Sequence, residues 1–461
     1  MTTHKGPTAI PRADAPHRAA PPPATARQGR PRRPWPFLGD LPALLRDPYG
    51  FLDELPRHGA AVPVRLGPTP AVVLCTPELT HRVLTDDTVF AKGGPFIDRV
   101  RDLVGESVTT SDRPRHRRVR RMMQPAFRPD HLHTYARAVV EETGRRLDDG
   151  WLAGQAEVYP AMQELTTRIA VRTMFARGLP LSDVDRVCDV IAAILHGSDT
   201  RLLLPSPLAR IPTPGKHHFD RARTELRAIT DRLIRDNATE ASDDMLSVLL
   251  DARDADDQGF TPEELSNEIL TLFLGGVETV ASTLAWSLSL LTQDPATLHA
   301  VRTEIATVLQ GRPPTLDDLA RMPLLKGTVL EALRLHPPGW LLTRLTTEST
   351  ELGRLRVPPG TTVIYSPYLL HRLPAHYPDA HRFIPQRWSS GFKPPRGAFV
   401  PFGGGARLCV GDNLTLLEAP LVLASILSTR TIAPDPTSPL PPRRLRFLHT
   451  PGRLRIRVGT P

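Results

Sequence analysis

The longest helical pattern in the chain begins at Thr261 and sets the size of the domain around it. Thr261 is suited to an N-cap, Pro262 to the first turn, and Glu264 completes a capping box. Apolar residues at helical spacing continue to about Gln293. Roughly 30 residues at ~1.5 Å each give a helix of ~45 Å, long enough to cross a whole domain. We therefore expect a mainly α protein built around this helix.

A smaller β portion is predicted on both sides of this helix. Residues 62–67 and 70–75 are extended runs joined by a Gly-Pro turn, which is typical of a β-hairpin. Residues 361–365 are another extended run, and residues 453–458 alternate as an edge strand does. The fold class predicted from the pattern is mainly α with a small β portion.

The first 34 residues differ in composition from the rest of the chain. Residues 1–34 are rich in Pro, Ala and Arg and hold too few large apolar side chains to offset the entropy of ordering them. We expect a disordered tail there and one folded domain over 35–461. No apolar run of about 20 residues begins the chain, which predicts a cytoplasmic protein with no stable membrane insertion.

The formal net charge of +9 bears on possible partners. Such a charge suits nucleic acid, an anionic membrane surface or an acidic protein. The sequence contains no recognised nucleic-acid module, and aromatic residues make up only 5% of it, so nucleic acid is not an expected partner. Charge alone does not choose between the other two.

A glycine-rich loop around Cys409 carries the strongest chemical signal. It reads Phe402-Gly-Gly-Gly-Ala-Arg407-Leu-Cys409-Val-Gly411 and is followed by a helical stretch. Glycines let the backbone approach a flat ligand closely, and a helix N-terminus favours a thiolate. Thiolate ligation of haem iron promotes O–O cleavage. The plain alternative is a glycine-rich turn with an incidental buried cysteine.

The fixed positions of this loop establish a resemblance. Phe402, Gly405, Arg407, Cys409 and Gly411 fill every fixed position of the haem-binding signature of cytochrome P450s. The resemblance covers about residues 36–461. It implies a single triangular-prism domain, haem b as the cofactor with Cys409 as its iron ligand, and a monomeric monooxygenase that uses O2.

A second motif is Glu331-Ala-Leu-Arg334, whose spacing of three lets the two charges pair on one helix face. Such pairs usually lie on solvated surfaces. In cytochrome P450s the pair recurs with an arginine from a later segment, here Arg387. The resemblance implies that these three residues form a structural lock, although Gln386 stands where glutamate is common.

A third motif, Gly275-Gly276-Val277-Glu278-Thr279, lies at the midpoint of the long helix. Glycine there would leave room for dioxygen, and a kink would free a carbonyl that Thr279 or water could satisfy. The resemblance assigns Thr279 to hydrogen-bonding dioxygen and Glu278 to proton delivery. From the residues alone, a loosely packed helix crossing with a solvated Glu278 is the alternative.

Cationic residues are expected around the haem propionates. The resemblance implies that His116, Arg120, Arg344 and Arg407 supply them. Neighbouring arginines such as Arg117, Arg118 and Arg121 form either a solvated helix face or a docking site for an acidic ferredoxin, which with its reductase would deliver electrons.

The substrate is indicated only by analogy. Segments that line the pocket in the family are mostly apolar here, which favours a lipophilic small molecule. The candidate lining residues are Phe96, Ile97, Val100, Phe273, Gly276, Trp340, Leu341 and Leu342. Residues 340–344 and 365–368 are similar to those of actinobacterial enzymes that oxidise cyclic sesquiterpenes, so we expect a terpene-type metabolite. A polyketide or macrolide, a fatty acid, a peroxygenase or isomerase reaction, and a non-catalytic haem protein are the alternatives.

Overall fold

The computed structural model describes residues 35–175, 181–203, 213–237, 244–438 and 446–460, and the predicted tail at 1–34 lies outside the described residues. The helices of these ranges are α1 (Leu41–Arg46), α2 (Pro48–Glu54), α3 (Pro77–Thr85), α4 (Pro95–Val104), α5 (Arg113–Met123), α6 (Pro129–Asp148), α7 (Val158–Met174), α8 (Leu181–Leu203), α9 (Pro214–Asn237), α10 (Met245–Asp251), α11 (Pro262–Gln293), α12 (Pro295–Leu309), α13 (Pro323–Leu335), α14 (Pro367–Leu370), α15 (Gln386–Ser389) and α16 (Asp412–Thr429).

The strands are short and fewer. They are β1 (Ala61–Leu66), β2 (Thr69–Leu74), β3 (Phe90–Ala91), β4 (Gly154–Glu157), β5 (Leu342–Thr346), β6 (Thr350–Leu352), β7 (Leu355–Val357), β8 (Thr362–Tyr365), β9 (Thr431–Pro434) and β10 (Arg455–Gly459). The prediction of a mainly α fold with a small β portion is confirmed.

Helix α11 begins and ends where the sequence predicts. The Thr261 hydroxyl accepts from the Glu264 amide at 3.2 Å, and a Glu264 carboxylate oxygen accepts from the Thr261 amide at 3.0 Å. The helix is 32 residues long. It is the one helix in the described residues that is long and apolar enough to cross a membrane, yet 78% of its apolar stretch is buried inside the protein. Helix α11 is thus the central core helix.

Two helical cores meet along α11. Toward its C-terminal end, Leu284 and Leu288 pack with α6, α7, α12, α13 and α16. Toward its N-terminal end, Leu265 and Ile269 pack with α7, α8 and α9. The middle of α11, which carries the glycine motif, therefore lies between the two cores.

The largest sheet has five strands in the order β1-β2-β8-β5-β3. Strands β1 and β2 form the predicted antiparallel hairpin, with Ala61 opposite Leu74 and Leu66 opposite Thr69. Strand β8 pairs with β2 in parallel and with β5 antiparallel. A third core, which includes Tyr49 and Leu52 of α2, joins this sheet to the N-terminal helices.

The prediction of an edge strand at the C-terminus is wrong. Strand β10 lies in the middle of a three-stranded sheet, between β4 and β9. Ile456 and Val458 are buried while Arg455 and Arg457 are exposed. A central strand whose sheet has one face in solvent alternates in the same way as an edge strand, so the pattern cannot separate the two.

Candidate active site

The cysteine loop packs closely on the end of α3. A short 3-10 turn, Gly405–Arg407, precedes Cys409, whose amide donates to the carbonyl of Phe402 at 3.0 Å. Gly405 has a φ of 65°, and a Cβ atom there would lie 2.0 Å from the carbonyl oxygen of Leu84. Only glycine fits this approach, so the loop is fixed directly above α16 with Cys409 at its end.

Cys409 has an exposed side chain, whereas Cys75 is buried. Although its surface is accessible, the thiol lies among enough protein that desolvation raises the pKa of Cys409, and the charge of Asp412 adds to this. The hydrogen bond from the Gly411 amide and the charge of Arg120 act in the opposite direction. The amide donor at the helix N-terminus favours the thiolate, as expected, but desolvation is the larger effect. A cation bound to the sulfur would supply the missing stabilisation.

Five basic side chains gather beside this loop. Arg344 and His116 are each 2% exposed, and Arg120, Arg407 and Lys92 lie close by. Burial and then the charges of Arg344 and Arg407 hold the pKa of Lys92 well below its usual value. Burial and then Arg407 lower the pKa of His116 to about 3, and burial and then Arg344 lower the pKa of Arg407 to about 10. The arginines and Lys92 repel one another and keep His116 neutral, so the cluster suits an anionic group.

Unpartnered donors in the same cluster show what kind of anion fits. Within the described residues, His116 Nδ1 and Arg407 Nε are buried and have no hydrogen-bond partner. Arg407 Nη1 donates to the carbonyl of Ser111 at 2.9 Å, and Arg120 donates to the carbonyl of Leu408. Buried donors normally have partners. Two carboxylates of a flat ligand held against the glycine loop would satisfy both the charge and the donors, as haem b does.

Lys92 was not among the residues predicted from sequence. Strand β3 pairs with β5 over only two residues, and this register places Lys92 next to Arg344. So short a strand between glycines and charged residues carries no clear sequence pattern. Only the tertiary structure reveals that Lys92 belongs to this cluster.

The structure brings Glu331, Arg334 and Arg387 together in the core. Glu331 and Arg334 are fully buried, and Arg334 binds the carboxylate through two nitrogens at 2.7 and 2.9 Å. Arg387 Nε lies 3.4 Å from the same carboxylate, and the Trp388 indole donates to it at 2.8 Å. The glutamate thus holds α13 and α15 together, and Trp388 is a partner that sequence reasoning missed.

Arg334 also ties this cluster to the segment that leads into the cysteine loop. Its guanidinium donates to the carbonyls of His371, Ala380 and Arg382 at 2.6–2.9 Å. His371 Nε2 accepts from the amide of Val400 at 2.9 Å, two residues before Phe402. A continuous set of buried hydrogen bonds therefore runs from Glu331 toward Cys409.

The glycine motif of α11 faces open space. The helix continues through Gly275 and Gly276, and a Cβ atom added at either would meet nothing within 4 Å. The Thr279 hydroxyl donates to the carbonyl of Gly275 at 2.7 Å, the bond to the preceding turn that Thr283 and Ser287 also make, so the helix carries on without the kink that the sequence suggested. Room for a small ligand and a polar hydroxyl thus occur side by side.

Glu278 points away from that space and toward α7. Its carboxylate accepts a hydrogen bond from the hydroxyl of Tyr159 at 3.2 Å, and only 8% of the residue is exposed. The alternative of a solvated Glu278 is therefore wrong. Tyr159 is a further residue that the sequence did not indicate.

Two predicted pocket residues lie in the core instead. Phe273 is 1% exposed and packs near Phe175, with ring centroids 6.1 Å apart. Trp340 is 3% exposed, packs on Tyr49 and donates its indole N–H to the carbonyl of Arg446. Both positions were predicted to line the pocket because they are apolar. In the structure, each side chain points into the protein core instead.

The remaining pocket candidates divide by exposure. Gly276 is exposed, and partly exposed side chains are found at Phe96, Val100, Leu341 and Leu342. Ile97, by contrast, is 3% exposed and offers almost no surface to a ligand. The surfaces that remain are apolar.

Comparison with known proteins agrees with this geometry. The family model for cytochrome P450 matches residues 29–458. The solved structure of the retinoic acid-bound cyanobacterial CYP120A1 superposes with a TM-score of 0.80 at 25% identity, covering 93% of this chain and 98% of that one. The fold and the cysteine loop are those of a haem-thiolate enzyme. The chain belongs to the cytochrome P450 family; it is a monooxygenase with haem b as its cofactor.

Two curated relatives match over nearly their whole length. One is the cyclooctat-9-en-7-ol 5-monooxygenase of Streptomyces melanosporofaciens, 39% identical over 89% of this chain and 92% of that protein. The other is the pentalenene oxygenase of Streptomyces avermitilis, 37% identical over 92% of this chain and 95% of that protein. Both relatives are named for terpene substrates.

Proposed function

We propose that this monooxygenase inserts one oxygen atom from O2 into a terpene or a similar lipophilic metabolite, with electrons from a ferredoxin and its reductase. The observation that carries the proposal is the pair of nearly full-length relatives whose names specify terpene substrates. The apolar surfaces at Phe96, Val100, Leu341 and Leu342 support it, since they offer no charge to a polar substrate. A cytoplasmic monomer remains our prediction.

We propose that Cys409 is the iron ligand and that the five basic side chains hold the haem propionates. Bound haem supplies the activation of dioxygen. Arg407 and His116 present their unpartnered donors to the propionates, while Arg120, Arg344 and Lys92 neutralise the carboxylate charge. The lock of Glu331, Arg334 and Arg387 has a structural role, because Glu331 and Arg334 are fully buried and their contacts join separate segments of the core.

Proton delivery is proposed for the middle of α11. Glu278 and Tyr159 hold a proton between two oxygens 3.2 Å apart, at a buried position one residue from Thr279. The Thr279 hydroxyl, half-buried beside the open space at Gly276, can turn from the Gly275 carbonyl toward dioxygen. An acid behind an alcohol is the arrangement that proton transfer requires.

We propose that an acidic ferredoxin docks on part of α5. Arg115 and Arg118 are held by the internal carboxylates of Glu264 and, for Arg118, Asp254. Arg117 and Arg121 are exposed and are the arginines we propose for an acidic ferredoxin. Steering of this kind weakens as salt is raised.

The haem assignment is tested by Cys409→Ser. The reduced carbonyl adduct of the wild type should show the red-shifted band of sulfur ligation, and the variant should lack it. Cys188→Ser is the matched control, since that thiol is far along the chain on α8 and should leave the band intact. A wild type that lacks the band would contradict the assignment.

The substrate class is tested by titration of the haem spectrum followed by turnover. Pentalenene or another cyclic terpene should shift the spin state, and reduced cofactor with a ferredoxin system should give a product heavier by one oxygen atom. A shift with a fatty acid or a glycosylated macrolide but none with terpenes would assign the alternative substrates. Turnover that ignores electron donors and needs peroxide would indicate a peroxygenase.

A further inference from the structure

One buried hydroxyl of helix α11 has no hydrogen-bond partner. Thr271 is 9% exposed, and in the part of the chain that the structure describes its Oγ1 atom is buried and unpaired. All the other Ser and Thr hydroxyls of this helix take part in a hydrogen bond, and these are Ser266, Thr279, Ser282, Thr283, Ser287, Ser289 and Thr292. Buried hydroxyls normally have partners, so Thr271 requires an explanation.

The Thr271 hydroxyl also lacks the bond that a helix usually gives to threonine. A threonine in a helix commonly donates to the carbonyl of the preceding turn. Thr279 and Thr283 do so at 2.7 and 2.8 Å. Thr271 makes no such bond to Asn267, and the amide oxygen of Asn267 instead accepts from Arg227 at 2.8 Å. The Thr271 hydroxyl is therefore turned away from the backbone of its own helix.

Thr271 lies on the side of α11 that carries the open space. Glu268, Thr271 and Gly275 follow one another at spacings of three and four residues, so they share one side of the helix, and Thr279 is one turn further along. At one end, the Glu268 carboxylate accepts from the amide of Val108 at 2.9 Å, so the segment after α4 covers the helix there. At the other end, a Cβ atom on Gly275 would meet nothing within 4 Å. Thr271 thus lies between a covered end and the open space.

The side chains next to Thr271 in the helix are apolar. Leu270 and Phe273 are buried in the core, and Leu272 and Leu274 are half-buried. A single buried water would need roughly two to four polar partners, and these side chains supply none. A ligand with one polar group on an apolar body matches this environment better.

We propose that the Thr271 hydroxyl binds an oxygen atom that the substrate already carries. The preferred substrate is then a terpene alcohol or ketone and not a bare hydrocarbon. This inference rests on the proposed function as a terpene monooxygenase. A hydroxyl both donates and accepts, so Thr271 suits either a carbonyl or an alcohol. A hydrocarbon would leave the buried hydroxyl unpaired, which is the basis for discrimination against it.

The position of Thr271 also bears on where the new oxygen enters and on the preceding reaction. Thr271 and Thr279 are eight residues apart, which is a backbone rise of about 12 Å. The oxygen bound at Thr271 and the dioxygen near Thr279 therefore lie toward opposite ends of the open space. The new oxygen enters far from the one already present. The reaction that supplies this substrate must itself place oxygen on the skeleton, by an earlier hydroxylation or by a cyclisation that ends with the capture of water.

Cedrol and cedrene, an alcohol and a hydrocarbon with matching skeletons, test the proposal by titration of the haem spectrum of the holoenzyme. The wild type should bind cedrol at least about fivefold more tightly than cedrene. Thr271→Val removes the hydroxyl and should abolish this preference, whereas Thr271→Ser keeps a hydroxyl and should retain most of it. Thr292→Val is the matched control, since it makes the same change at a buried hydroxyl near the far end of α11 and should leave the preference unchanged.

Thermal unfolding of the same variants without substrate is a second readout. Thr271→Val loses no hydrogen bond within the protein, so its midpoint should equal or exceed that of the wild type. Thr292→Val loses the bond to the Ser289 carbonyl and should unfold at a lower temperature.

Three results would overturn the proposal. A lower midpoint for Thr271→Val would show that the hydroxyl has a partner in the protein. Equal binding of cedrol and cedrene by the wild type, or a preference for cedrol that survives in Thr271→Val, would overturn the inference and leave the terpene function intact. Binding of neither compound would remove the terpene function and this inference together.

Discussion

Arg334 and His371 exchange two hydrogen bonds in the core of the protein. Arg334 Nη1 donates to the carbonyl of His371 at 2.9 Å, and His371 Nδ1 lies 3.2 Å from the carbonyl of Arg334. Because Nε2 of His371 accepts from the Val400 amide, Nδ1 carries the proton. The ring therefore links the buried Glu331–Arg334 pair to the segment that enters the cysteine loop, and it can do so only while neutral.

This link predicts a specific dependence of stability on pH. Burial and then the charges of Arg334 and Arg372 lower the pKa of His371 from 6.5 to about 3. Between those values the unfolded chain binds a proton that the folded chain does not, so stability falls as pH falls. Denaturant unfolding of His371→Gln, which cannot protonate, should show a slope smaller by up to about 1.4 kcal/mol per pH unit in this window. Equal slopes for the two proteins would show that His371 titrates normally.

Removing the charge of Glu331 should be strongly destabilising. Glu331→Gln leaves the buried Arg334 guanidinium without its counter-ion, and loss of one partner of a buried pair costs roughly 3–5 kcal/mol. Denaturant unfolding measures the change. Glu157→Gln is the control, because its pair with Arg455 is partly exposed and should contribute less than about 1 kcal/mol. A loss for Glu331→Gln as small as that of the control would contradict the buried lock.

Lys92→Met should have opposite effects with and without haem. Without haem, the variant removes a partly buried cation that Arg344 and Arg407 repel, so thermal unfolding should shift upward. With haem, the variant loses one partner of the propionates, so transfer of haem to an acceptor protein should be faster. Lys393→Met, on an exposed loop, should change neither the rate of haem transfer nor the midpoint of thermal unfolding. A haem-free variant that is less stable than the wild type would show that Lys92 is paired in a different way.

Thr279→Ala should uncouple the consumption of reduced cofactor from the formation of product. Loss of the hydroxyl beside the open space should lower the product formed per reduced cofactor severalfold and raise peroxide release, while substrate binding is kept. Thr283→Ala removes the same group one turn further along, where it donates to the Thr279 carbonyl in the core. That control should be less stable but should form as much product per reduced cofactor as the wild type. If the two variants form equal amounts of product per reduced cofactor, Thr279 has no role in proton delivery.

Features defined by neighbouring residues were determined by the sequence alone. The capping box at Thr261 and Glu264 and the hairpin of β1 and β2 follow from local hydrogen bonds and turn chemistry, and both were predicted closely. The spacing of the cysteine loop was also read from the sequence, although the contact that requires glycine at 405, with the carbonyl of Leu84 on α3, is tertiary. Glu278 and Thr279, the acid and alcohol proposed for proton delivery, are adjacent residues, so the sequence alone places them together.

Only the tertiary structure decided which distant groups meet. Lys92 reaches Arg344 through a two-residue strand, and Tyr159 reaches Glu278 across two helices. The central position of β10 and the burial of Trp340 depend on the same long-range packing. Periodicity reports which face of an element is apolar, but it does not report what that face touches. The partner of each face is set by the balance of packing over the whole chain, and that balance has no local signature.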